Sequence, residues 1–136
     1  MSRIIDIIMV FVVIGLLALI VCQAVNAEID ESLAVRALIG EAANQGYDGM
    51  CAHASAFRNR GTLQGIYGLN APHVSKEPEW VWKMARRAWE ASRTMDYVGG
   101  ADHFGSVLVD KAWIAKMDKT MIFVKQVKDV RFYKEK

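Results

Sequence analysis

The chain has 136 residues, room for one domain, with 53% hydrophobic residues and a formal net charge of +2. So slight a positive balance gives no argument for nucleic acid and is compatible with an anionic polymer or with an ordinary solvated surface. Its two cysteines, Cys22 in an apolar leader and Cys51 beyond it, exclude a disulfide framework in the globular part.

Residues 1–27 read as an export signal or membrane anchor. Ser2-Arg3 is a short basic start, residues 7–22 are unbroken apolar sequence, and Val25-Asn26-Ala27 offers small residues for cleavage after Ala27. Extended to Val25, the run approaches the roughly 20 residues that span a bilayer, so membrane contact through residues 4–25 is expected, as an anchor or before processing. Arg3 before the run and Glu28, Asp30 and Glu31 after it place residues 28–136 outside the cytoplasm. That part is expected to be one domain and a monomer.

Asp30 or Ser32 can cap a first helix over residues 33–44, apolar nearly all round, with Val35, Leu38, Ile39 and Ala42 on one side. Glu41 lies at the edge of that stripe, where lost hydration raises a carboxyl pKa. After a tight turn at Gly46, Asp48 can cap a second buried helix over 49–57, in which His53 and Ser55 are the polar side chains. Cys51 reads as a buried structural thiol, because His53 two residues on points away from it. Gly61 stops this helix, and residues 61–74 form a loop with one short turn near Tyr67. Tyr67 either stacks on a sugar face or packs the loop onto the core.

Pro78 opens a helix over 79–94, with Trp80, Met84, Ala88 and Ala91 as its core line and Val81, Ala85 and Ser92 beside it. Trp82 and Trp89 share a neighbouring side that suits packing or glycan. Gly99-Gly100 makes a turn, 101–104 a strand, 110–117 a short helix with Trp113 and Met117, and 120–124 and 127–133 two further strands. The expected fold class is α+β: a helix-dominated domain with a small antiparallel sheet near the C-terminus, preceded by the leader helix.

The spacing Gly40-Glu41-Ala42, Gly46-Tyr47-x-Gly49-Met50 and Asn59-Arg60, continuing through Gly99-Gly100-Ala101-Asp102-His103-Phe104, Trp113 and Phe132-Tyr133, resembles the SleB-type cell-wall hydrolase domain of spore-cortex lytic enzymes and phage proteins. The likeness covers the chain after residue 33. It departs at Gly105, where the family commonly has an acid or amide, and at Lys128, Asp129 and Arg131, near a family Gly-x-His. The resemblance implies a lysozyme-like domain that cuts the peptidoglycan glycan strand between N-acetylmuramic acid and N-acetylglucosamine, with Glu41 as its catalytic acid. It further implies lytic transglycosylase chemistry, in which the sugar's own 6-hydroxyl attacks and a single Glu acts as acid, then base. His103, Tyr67, Asp102 and Phe104 are the substrate-binding candidates, His103 being either a donor beside Glu41 or a satisfied strand-end residue. Asp102 is also the candidate second carboxylate of a muramidase. An inactive glycan-binding or envelope-structural protein on the same fold is the alternative. No cofactor is expected, and no metal, because His53, His73 and His103 are scattered and no His-x-x-x-His pair exists, which also disfavours a zinc amidase. Asn59 and Arg60 are expected to orient the Glu41 helix.

Overall fold

A computed structural model describes residues 2–25 and 28–136 of the chain. The expected cleavage point after Ala27 falls outside them. The first helix, α1 (Ser2–Val25), carries the apolar leader, and its described large side chains from Ile4 to Leu17 are exposed. Among the described residues no helix is long and apolar enough to cross a membrane; the side chains of residues 18–25 lie outside the description.

The rest is mixed α+β. Three helices, α2 (Glu31–Ala42), α3 (Gly46–Arg60) and α4 (Glu79–Ala91), pack around one core. A three-stranded antiparallel sheet follows, β1 (His103–Ser106), β2 (Ile122–Val127) and β3 (Val130–Lys134) in the order β1-β3-β2, with α5 (Lys111–Thr120) between β1 and β2. Of the two candidate caps for α2, Asp30 is the one used: its carboxylate accepts the Leu33 N–H at 3.0 Å. Ala34, Val35, Ala37, Leu38, Ile39 and Ala42 are all buried, as an all-round apolar pattern requires. A 3-10 turn, Ala43–Gln45, links α2 to α3, and Gly46 takes φ 70° where the chain reverses. Asp48 therefore lies in the first turn of α3 and not at its cap, where its charge still suits the helix N-terminus. Gly61 ends α3 in the left-handed conformation, its N–H donating to Phe57 O.

The loop after α3 is more structured than expected, with 3-10 turns at Tyr67–Asn70 and Pro72–Lys76. In α4 the core line is displaced from the expected one. Trp80 is exposed, while Val81, Ala85, Ala88, Trp89 and Ser92 are buried. Arg58 decides this: its guanidinium lies 3.7 Å from the Trp89 ring centroid and hydrogen-bonds Trp89 O and Ser92 Oγ, fixing that side of α4 against α3. Asn59 and Arg60 likewise serve other segments than the expected Glu41 helix. Asn59 Nδ2 holds Ala101 O and Asp96 in the turn before β1, and Arg60 holds Gln64 O.

Candidate functional site

Glu41 sits in the last turn of α2, where two glycines bring a second backbone unusually close. A Cβ on Gly40 would run into the Gly68 backbone, and one on Gly68 would lie 2.6 Å from Glu41 Cγ and from Glu41 N. With no side chain at either position, the Tyr67–Asn70 turn lies directly on α2. The Gly68 N–H donates to Glu41 Oε1 at 2.8 Å, which leaves Oε2 to carry a proton. The carboxyl is half-buried, and burial raises its pKa above the ordinary value. The Gly68 hydrogen bond works against that rise, and the negative charge of Asp110 adds to it.

Glu41 lines a cleft of about 780 Å³ between the helical core and the sheet. Tyr67, His103 and Phe104, three of the four binding candidates, line the same cleft. Tyr67 is 91% exposed and so does not pack the loop onto the core; its ring stands free at the rim. Facing solvent on the same rim are Leu108, Val109 and Trp113, whose indole N–H donates to Phe104 O. Asp102, the fourth candidate, does not line the cleft. It pairs with His103, Oδ1 to Nδ1 at 2.9 Å, and acts on the cleft through that ring.

Two carboxylates that sequence reasoning passed over do line it. Asp110 precedes α5, and its Oδ2 accepts the Ser106 N–H at 2.8 Å. Asp129, in the turn between β2 and β3, accepts from Gln45 Nε2 at 2.6 Å on one oxygen and from Ser106 Oγ at 2.8 Å on the other. These two hydrogen bonds hold the Asp129 pKa below the usual carboxylate value. The network ties the segment just after the Glu41 helix to strand β1 and to the β2–β3 turn. No local sequence pattern marks it, since its members are separated by 84 and 23 positions.

The floor of the cleft contains His53. It is almost wholly buried, Nδ1 lies 2.8 Å from Gly49 O one turn back in α3, and burial pushes its pKa down to about 4. Its ring stands edge-on to Phe104 at 4.7 Å and Phe132 at 5.2 Å between centroids. Among the described residues, the donor atoms of Asp102, His103 and Glu135 lie within 4.8 Å of one another and are the group that could hold a cation; Glu135 is exposed and Asp102 is already engaged with His103. Cys51 is a buried free thiol whose pKa is raised by burial, which fits a structural residue.

No family model, no curated protein and no solved structure matches the chain.

Proposed function

We propose that the chain is a peptidoglycan-degrading enzyme of lysozyme-like, SleB-resembling type that cleaves the bond between N-acetylmuramic acid and N-acetylglucosamine. The observation that carries this is the half-buried Glu41 carboxyl, with raised proton affinity, on the wall of a cleft of about 780 Å³ rimmed by exposed Tyr67 and Trp113. A glycan suits that lining. Rings offer apolar faces to aromatic side chains, and hydroxyl and amide donors suit Asp110, Asp129 and Glu41 as acceptors.

In the proposed reaction Glu41 donates the proton on Oε2 to the glycosidic oxygen as the bond from that oxygen to the muramyl C1 breaks. The carboxylate so formed takes the proton of the muramyl 6-hydroxyl as its oxygen bonds to C1. The products are a 1,6-anhydro-muramyl end and a free 4-hydroxyl on N-acetylglucosamine, with no net proton transfer and no water consumed. The 6-hydroxyl is held beside C1, an intramolecular advantage worth several kcal/mol. Asp110 supports a second reading. Its charge reaches Glu41 across the cleft wall, so a muramidase would use Asp110, rather than Asp102, to activate water. Export through residues 1–27, with membrane contact through residues 4–25, belongs to the same proposal.

The test is release of soluble muropeptides from purified sacculi by the full chain in mild detergent, read by mass spectrometry. Products lighter by one water than muramidase products support transglycosylation; reducing ends that vanish in Asp110→Asn establish the muramidase instead. Glu41→Gln should lower release by about 10² to 10⁴-fold, the usual contribution of a general acid. Its melting temperature should not fall, because Gln keeps the shape of the neutral acid and an oxygen for the Gly68 N–H. Sacculus binding with no release by the unmodified chain would identify a glycan-binding protein on this fold.

A further inference from the structure

His53 is a buried titratable group that the proposed reaction does not use. Its place has a physical cost, because an imidazole among Phe57, Phe104 and Phe132 gives up hydration that a phenyl ring would not need. The Nδ1 contact to Gly49 O is a donor's contact, since a carbonyl oxygen can only accept. A ring held neutral by burial carries one proton, so Nδ1 bears it and Nε2 presents a lone pair.

That lone pair has no partner among the described residues. Among the described residues Nε2 makes no hydrogen bond, and it is not one of the sealed, unpartnered polar atoms there, which are Gln45 Oε1, Trp89 Nε1 and Arg131 Nε. His53 lines the cleft, and because Nε2 is neither bonded nor sealed, the cleft is where that nitrogen meets solvent. Of the charged groups around it, Asp129 is close enough to act on the ring, and both oxygens of that carboxylate are already engaged. An acceptor in this position has one kind of complement, a neutral O–H or N–H donor supplied from within the cleft.

Resting on the peptidoglycan reading above, we propose that His53 is a substrate-contacting residue: its Nε2 accepts a hydrogen bond from a hydroxyl or N-acetyl N–H of the sugar seated beside Glu41. The contact needs no proton transfer and makes His53 a positioning residue for the bond that Glu41 cleaves. It favours a ligand that donates at this point over one with a carboxylate or ether oxygen there, which would meet the lone pair with another.

His53→Phe keeps the ring among its aromatic neighbours and removes the acceptor, whereas His53→Gln places an amide oxygen near the position of Nε2. Muropeptide release by the full chain should fall about tenfold in His53→Phe, the effect of one lost hydrogen bond, and recover most of the way in His53→Gln. Equal rates for the unmodified chain and His53→Phe overturn the inference and leave the peptidoglycan reading intact. No release by the unmodified chain overturns that reading and the inference with it. As a readout independent of folding of the variants, nitrogen-15 spectra of histidine-labelled full chain should show the His53 Nε2 resonance of the Nδ1–H tautomer move upfield on addition of N-acetylglucosaminyl-N-acetylmuramyl-dipeptide. A resonance that stays still while the ligand saturates the protein refutes the contact.

Discussion

Burial of His53 as a neutral ring makes the domain acid-labile in a defined window. In the unfolded chain the imidazole titrates near 6.5, and in the fold it titrates near 4. Between those values the unfolded state binds the proton that the folded state refuses, so stability is lost as pH falls from about 6.5 and the loss is complete below about 4. A gap of about 2.5 pH units, at 1.36 kcal/mol each, is a loss on the order of 3 kcal/mol, with about 2 kcal/mol of it gone at pH 5. Against a typical 5–15 kcal/mol for a whole domain, this is a large share. Glu41 acts in the opposite sense, because a carboxyl with a raised folded pKa favours the fold as pH drops through it. Comparison of the unmodified chain with His53→Phe removes this opposing effect, as both carry Glu41. Urea unfolding followed by tryptophan fluorescence at pH 7.5, 6, 5 and 4 should show the stability difference between the two proteins shift by about 2 to 3 kcal/mol toward the Phe variant as pH falls. Parallel curves would mean that His53 takes up a proton without unfolding, and the reasoning from its burial would fail.

Gly68→Ala should be far more damaging than a surface Gly→Ala change, since the new Cβ would lie 2.6 Å from Glu41 Cγ and push the Tyr67–Asn70 turn off α2. Displacing the turn removes the Gly68 hydrogen bond that lowers the Glu41 pKa but also the burial that raises it, and burial is the larger cause, so the alkaline limb of the pH–rate profile should move downward; an unmoved limb would show the turn to be irrelevant to the acid. A reporter active only in the periplasm, fused after Lys136, should be active, and activity of a cytoplasm-only reporter there would refute the orientation.

The parts of the fold legible in the sequence are those whose signal is local. The all-round apolar pattern of α2 announces its burial, and the position of Glu41 at the edge of a stripe announces a half-buried carboxyl, because a helix turns a spacing into a direction. The same rule failed on α4, where two adjacent lines of apolar residues differ by one position and spacing cannot rank them. The choice was made by Arg58, on another helix, stacking over Trp89 and leaving Trp80 outside. The rest of the site is long-range. Gly68 lies 27 positions from the carboxyl it holds, and Asp110 and Asp129 look like ordinary turn residues until the sheet folds them back to the Gln45 segment.

The two departures from the proposed SleB-type pattern have physical counterparts in this fold. A Cβ on Gly105 would lie 3.0 Å from Trp113, 3.1 Å from Ile114 and 3.2 Å from Met117, so α5 fills the space that a larger residue would need. An acid there would be buried against apolar atoms with no partner, at a cost of several kcal/mol. The negative charge of the cleft comes instead from Asp110 and Asp129, each hydrogen-bonded to Ser106, the residue after that glycine. Asp129 lies in the altered C-terminal motif itself. Lys128 before it takes φ 52°, and that turn accompanies a carboxylate reaching Gln45 and Ser106 together. Removing the Gln45 bond would free the segment that follows the Glu41 helix, so the altered motif supports the proposed acid rather than removing its floor. His53 reaches the same floor from α3, a helix otherwise given over to packing: Nδ1 is held by Gly49 O, and the proposed sugar donor would complete the ring's hydrogen bonding at Nε2.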